Sequence, residues 1–245
     1  MNTTYFKTVF CLLAVITVLA CNKDIQNKAD YSLYPGTANA AYVKVVSATV
    51  GATRNYVYNS ALTPLTGAAI AFGGTAPSSN SYFVVNAGSN VVFIKDTLPT
   101  TTQAPLIVSA SFDPGSYYSI FTYDTTTTIK YALVQDVMPA VVDTAARVRI
   151  VNLARGATKN IDVFSKVMNT TIFSNVSPAT IGTFIPYTSK LNDTLYVREA
   201  GTTNLLYQLN GFLPDQKRYY SLVFRGRQDV SSGAIARTLS PFTNY

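Results

Sequence analysis

The chain of 245 residues carries 19 Lys and Arg against 12 Asp and Glu, a formal net charge of +7, and contains neither His nor Trp. Without His there is no Ser-His-Asp triad and no His-ligated metal. The cations are scattered in runs of no more than two, as on solvated strand faces, and this excludes a nucleic-acid footprint. Glu occurs once, at Glu199, whereas Thr, Val, Ser, 17 Tyr and 13 Phe abound. Few helix formers and many β-branched and aromatic residues predict an all-β protein of one or two domains.

Residues 1–20 read as an export signal. Lys7 precedes a thirteen-residue uncharged, largely apolar stretch from Thr8 to Ala20, too short for the roughly 20 residues that cross a bilayer. The stretch ends in Val18-Leu19-Ala20-Cys21, which resembles the lipobox of bacterial lipoproteins. In those proteins the cysteine takes a diacylglyceryl group and becomes the first mature residue. The resemblance implies lipidation of Cys21 and attachment to a membrane. Cys11 leaves with the signal, so the mature chain has no second thiol for a disulfide.

Residues 21–40 form a polar tether with a Pro35-Gly36 turn signal. Residues 41–138 and 146–245 are then two copies of one unit, joined by a linker at 139–145. Segment 41–59 and segment 146–164 align without gaps at an offset of 105, with identities at Ala41/Ala146, Val43/Val148, Val46/Val151, Gly51/Gly156, Ala52/Ala157, Thr53/Thr158 and Asn55/Asn160. A second echo pairs Tyr117-Tyr118-Ser119-Ile120 with Tyr219-Tyr220-Ser221-Leu222. Internal symmetry of this length means two copies of a domain.

Each copy reads as short strands. In the first they are the opening strand, 55–58, 82–85, 91–94, 106–111 and 117–122. In the second they are the opening strand, 160–164, 183–187, 194–198, 205–209 and 219–224. Short strands with turn residues between them predict a sandwich. Period-two alternation places Val43, Val45, Val148 and Ile150 in the cores, with Lys44, Arg147 and Arg149 in solvent. Gly51 and Gly156 are expected at positive φ. Of each adjacent tyrosine pair, one ring is expected in the core and one outside. Tyr118 and Tyr220 are the candidate ligand contacts on the outside. Each copy is expected to fold alone.

The opening Ala-x-Val-Lys/Arg-Val/Ile-Val strand, the Gly-Ala-Thr-x-Asn loop and the Asp162-Val163-Phe164 strand resemble a tandem domain of unknown function found in exported lipoproteins of the Bacteroidetes. Tyr56-Val57-Tyr58 lacks the acid, so the first copy diverges more. The resemblance covers 41–138 and 146–227. It implies two tandem immunoglobulin-like β-sandwiches and no enzymatic activity. Lys23-Asp24 is similar to the signal that sends such lipoproteins to the cell surface. Asp-Thr pairs place Thr97, Thr125, Thr144 and Thr194 in a context similar to the O-glycosylation signal of these bacteria. Asp-Thr is also a common turn pair whose side chains bond nearby backbone.

No Gly-rich phosphate loop, calcium loop or repeated carboxylate pair is present, and no cofactor is implied. The expected protein is a non-enzymatic lipoprotein of the outer membrane, lipid-anchored at the cell surface, acting as a binding or structural module. Its partners are the membrane and a polysaccharide or envelope protein. The alternative is a carbohydrate-binding accessory lipoprotein that uses exposed tyrosines.

Overall fold

Val43 and Val45 leave the first strand on the same side, and that side closes a core as alternation requires. The computed structural model describes residues 39–59, 64–78, 80–156 and 158–245. Among these residues there are seventeen strands and no helix. The signal, Cys21, Lys23 and Asp24 lie outside the described residues.

The first repeat contributes β1 (Ala40–Ser47), β2 (Asn55–Asn59), β3 (Thr75–Ala76), β4 (Phe83–Asn86), β5 (Gly88–Asp96), β6 (Leu106–Phe112), β7 (Tyr117–Tyr123) and β8 (Lys130–Gln135). The second contributes β9 (Ala146–Asn152), β10 (Ile161–Ser165), β11 (Thr170–Val176), β12 (Thr180–Ile181), β13 (Ile185–Tyr187), β14 (Asp193–Glu199), β15 (Leu205–Phe212), β16 (Tyr219–Arg225) and β17 (Thr238–Thr243). Residues 139–145 run between β8 and β9.

Each repeat is a two-sheet sandwich. In the first, the sheet β2-β5-β6 packs on the sheet β3-β1-β7-β8, and β4 continues the β3 edge by pairing with the start of β1. In the second, β11-β10-β14-β15 packs on β12-β9-β16-β17, and β13 continues the β12 edge along β9. The two repeats also share an unusual central pair. β1 runs parallel to β7 from Tyr42↔Tyr117 to Ser47↔Thr122, and β9 runs parallel to β16 from Arg147↔Tyr219 to Asn152↔Phe224.

The first core gathers Val43, Val45, Val57, Ile94, Phe112 and Ile120; the second gathers Val148, Ile150, Val163, Leu195, Phe212 and Leu222. The opposite faces of the two parallel-pair sheets do not meet water. There Val46, Ala48 and Phe121 of the first repeat pack against Val151, Leu153 and Val223 of the second in a third apolar cluster. Parallel strands are favoured where both faces of a sheet are covered, and these are. The sheets stack four deep, and Ala38–Tyr245 is one compact unit.

This stacking corrects the expectation that the cations of the opening strands are solvated. Lys44 is 2% exposed and Arg149 1% exposed, both among the most deeply buried large side chains. The alternation is right about which residues enter the sandwich cores. What it places in solvent is instead covered by the other repeat. Arg147, one step along β9, is partly exposed and pairs with Asp143 at 2.9 Å.

The loop after each opening strand needs a left-handed residue, and Gly51 and Gly156 supply it at φ 87° and 68°. A second such position follows β7 and β16. There Asp124 has φ 74° and Gly226 φ 89°, equivalent because their carbonyls accept from Val50 and Arg155 respectively.

Candidate binding clefts at the repeat junction

The pseudo-symmetry of the repeats fixes what the buried cations meet. Lys44 on β1 stands opposite Ser119 on β7, and Arg149 on β9 stands opposite Ser221 on β16. Asp136 follows Gln135, the partner of Tyr118, and its N–H donates to the Tyr117 carbonyl. Asn244 follows Thr243, the partner of Tyr220, and its N–H donates to the Tyr219 carbonyl. Asp136 and Asn244 therefore occupy equivalent places in the two repeats, one charged and one neutral.

Arg149 reaches across the junction. Its Nη2 donates to Asp136 Oδ1 at 2.7 Å and its Nε to Ser221 Oγ at 2.8 Å, with the guanidinium 4.4 Å from the centre of the Phe184 ring. The second Asp136 oxygen accepts from Ser119 Oγ at 2.6 Å, Tyr82 Oη at 2.8 Å and Asn244 Nδ2 at 3.2 Å. Ser221 Oγ in turn donates to Asn244 Oδ1 at 2.7 Å. Burial is affordable for such a carboxylate because several donors converge on it. Burial, reinforced by the Asp136 charge, raises the Tyr82 phenol well above its ordinary range.

On the other side Lys44 Nζ donates to the Thr243 carbonyl at 2.7 Å and lies 5.0 Å from the centre of the Tyr82 ring. Burial pulls this amine down to about 8, against the opposing attraction of Asp136. Two more contacts tie the repeats together. Arg155 pairs with Asp124 at 3.1 Å, and Arg225 lies 4.9 Å from the centre of the Phe72 ring.

A cleft opens at each end of this junction, and the two are built from equivalent strands. The cleft beside Arg149 has a volume of about 360 Å³ and an apolar lining that includes Val134, Val137 and Phe184. The cleft beside Lys44 has a volume of about 450 Å³ and is polar, with Thr75, Ser78, Asn80 and Arg218 on its walls. Asp215 also lines it and is paired with Lys190. Among the described residues, no three of His, Cys, Asp and Glu stand close enough together to hold a metal ion.

Of the candidate ligand tyrosines, Tyr118 lines neither cleft, and Tyr220 is part of the wall beside Lys44. Tyr118 is 6% exposed and Tyr220 9% exposed, each ring packed against a core phenylalanine, Phe112 and Phe212. Their hydroxyls accept from the backbone N–H of Asp113 at 2.9 Å and of Asp215 at 3.0 Å, five residues upstream in both cases. A tyrosine bonded back to upstream backbone closes a corner in immunoglobulin-type sandwiches. These rings are structural, which corrects their assignment as exposed platforms. Their neighbours Tyr117 and Tyr219 lie toward the junction. Tyr117 stacks on Tyr42 at 4.7 Å, and Tyr219 donates its hydroxyl proton to the Pro139 carbonyl.

Of the Asp-Thr pairs, Thr97 and Thr144 are exposed, while Thr125 and Thr194 are half-buried. Asp96 and Asp143 accept from the N–H two residues on, of Leu98 and Ala145, which is the turn chemistry of Asp. Asp193 is buried and accepts from Ser165, Tyr187 and the backbone N–H groups of Val167 and Thr194. Burial pushes that carboxyl up, and these bonds more than offset it, leaving it below its ordinary value.

Sequence reasoning missed the junction network. Its signal is present in Val45-Val46, Ile150-Val151 and Ile120-Phe121, where apolar residues sit consecutively and fill both faces of one strand. Neither a protein-family model nor a curated protein matches this chain in sequence.

Proposed function

We propose that this chain is a non-enzymatic lipoprotein of the bacterial outer membrane, anchored through Cys21 and directed to the cell surface by Lys23-Asp24. Its two sandwiches act as a single rigid binding or structural module. The observation that supports this reading is the Arg149–Asp136 pair, buried between the repeats with both side chains almost wholly enclosed. Enclosing two charges costs several kcal/mol per ion by order of magnitude. A chain whose domains merely hung in series would have no use for it. The return on that cost is a fixed orientation of one sandwich against the other, and with it a fixed shape for the clefts at their junction. The carbohydrate reading no longer rests on exposed tyrosine platforms and passes to the polar cleft beside Lys44, which the largely buried Tyr220 helps to line.

Two measurements test the proposal. Metabolic labelling with a fatty-acid probe should mark the wild-type protein and not Cys21→Ser; equal labelling of both would overturn the anchor. Incubation of the purified protein with envelope polysaccharides should leave their chain lengths unchanged. Shortened products would overturn the non-enzymatic reading.

A further inference from the structure

The two clefts are the same place in two copies of one domain, yet their chemistry has diverged. Beside Arg149 the fold contributes a carboxylate, Asp136, and the cleft wall is apolar. Beside Lys44 the equivalent position is Asn244, a neutral amide, and the wall is polar and bears a second cation, Arg218. The acid on that wall, Asp215, is engaged by Lys190. Hydroxyl and amide groups of Thr75, Ser78 and Asn80 share the lining with Tyr220, Pro241, Phe242 and Thr243. A volume of about 450 Å³ falls within the roughly 300–1,000 Å³ of small-molecule sites.

We propose that the cleft beside Lys44 binds a carboxylate-bearing saccharide, with the carboxylate directed to Lys44 and Arg218 and the sugar hydroxyls to Thr75, Ser78 and Asn80. Two cations select an anion, and charge-assisted bonds to a carboxylate are the strong ones. Neutral donors and acceptors around them match the hydroxyls of a sugar ring. This deepens the proposed binding role and rests on it. The charge state of Lys44 adds a pH signature. Lys44 faces Tyr82 and Asp136 of its own repeat and shares the cleft with Asp215 and Arg218 of the second; with burial pulling its amine down to about 8, a bound anion raises it again and binding takes up a proton. Affinity therefore falls as the pH rises through that value.

The test is calorimetric titration of the full-length protein in detergent with digalacturonate, the neutral galactose disaccharide and galactose 6-phosphate. Digalacturonate should bind best, by about tenfold over the neutral sugar, the factor expected for one charge-assisted hydrogen bond. Arg218→Gln, at an exposed position that leaves the fold intact, should weaken digalacturonate by about tenfold for the same reason. Raising the pH from 7 to 9 should weaken wild type by about tenfold, since a group titrating near 8 is then mostly neutral, and should leave Lys44→Arg unchanged. Equal binding of neutral and acidic sugars would overturn the ligand class while leaving the envelope module standing. Tighter binding of the phosphate would overturn the carboxylate assignment. Unchanged affinity in Arg218→Gln, or no binding of any probe, would overturn the site. The anchor and non-enzymatic assignments are read by their own separate measurements.

Discussion

Replacing Arg149 with alanine should be among the most damaging single changes on β9, although a strand-alternation argument makes it harmless. The side chain is 1% exposed. Removing it deprives Asp136 Oδ1 of a donor at 2.7 Å and Ser221 of one at 2.8 Å. Breaking a buried pair from one side costs about 3–5 kcal/mol, because the remaining charge stays enclosed. Asp136 keeps Ser119, Tyr82 and Asn244 on its other oxygen, which places the expected loss at the lower end, about 3 kcal/mol. Arg147→Ala is the control. Its pair with Asp143 is partly solvated and is worth about 0–1 kcal/mol. Urea unfolding of the whole chain, followed by tyrosine fluorescence, measures both. A double-mutant cycle with Asp136→Asn should give a coupling of about 0.5–3 kcal/mol, as for residues in one network. The reasoning fails if Arg149→Ala costs no more than Arg147→Ala, or if the cycle shows no coupling.

Tyr118→Phe and Tyr220→Phe should each lower stability by about 1 kcal/mol, the net worth of one hydrogen bond, in the same urea assay; a neutral result would mean the corner bonds do not form in solution. Gly226→Ala should lose about 1–2 kcal/mol for its left-handed backbone and more for a Cβ built directly onto the Ala236 carbonyl, whereas Gly201→Ala meets nothing nearby and should show only the backbone loss. Thermal melts across alkaline pH should show a rise and then a fall. Between about 8, where buried Lys44 titrates in the folded chain, and about 10.4, where an unfolded lysine does, the unfolded state binds more protons and stability climbs with pH. Above about pH 10 unfolded tyrosines ionise. Burial with the adjoining Asp136 and Asp193 holds Tyr82 and Tyr187 protonated in the folded chain, so stability falls. Lys44→Met should abolish the climb and keep the fall; a climb retained in that variant would refute the assignment.

The strands legible in the sequence are those whose period-two pattern faces one core. Asn55–Asn59, Leu106–Phe112 and Tyr219–Arg225 were legible to within a residue or so. The strands it hid have specific reasons. β17 contains Pro241, which is tolerated because β17 lies at a sheet edge. β11 is interrupted by register shifts along β10, so its pattern does not repeat. β3 and β12 are two residues each, too short for any period to show. At the junction the difficulty is different in kind. Lys44 and Arg149 look like solvent-facing residues because a charge on a strand ordinarily is one, and what buries them is the sheet of the other repeat, reached at Thr243 by Lys44 and at Asp136 by Arg149. Each tyrosine pair does put one ring in a sandwich core, but that ring is Tyr118 or Tyr220, and the neighbour faces the junction rather than solvent, Tyr219 being itself only 3% exposed.

The contacts that seal the junction are long in sequence. Lys44 meets Thr243 across 199 residues and Tyr82 meets Asn244 across 162. The first sandwich, by contrast, has all its strands between Ala40 and Gln135. Its own core can therefore consolidate before β16 and β17 have been delivered. Closing so distant a contact carries a loop-entropy cost that slows it. During that interval a half-assembled chain displays Val46, Ala48 and Phe121 with nothing over them, a sticky patch at the centre of an otherwise finished domain. The natural cover is the matching face of the second repeat. The same face of another molecule can take its place, so this protein's characteristic failure should be exchange of repeats between chains, and a high protein concentration should favour it.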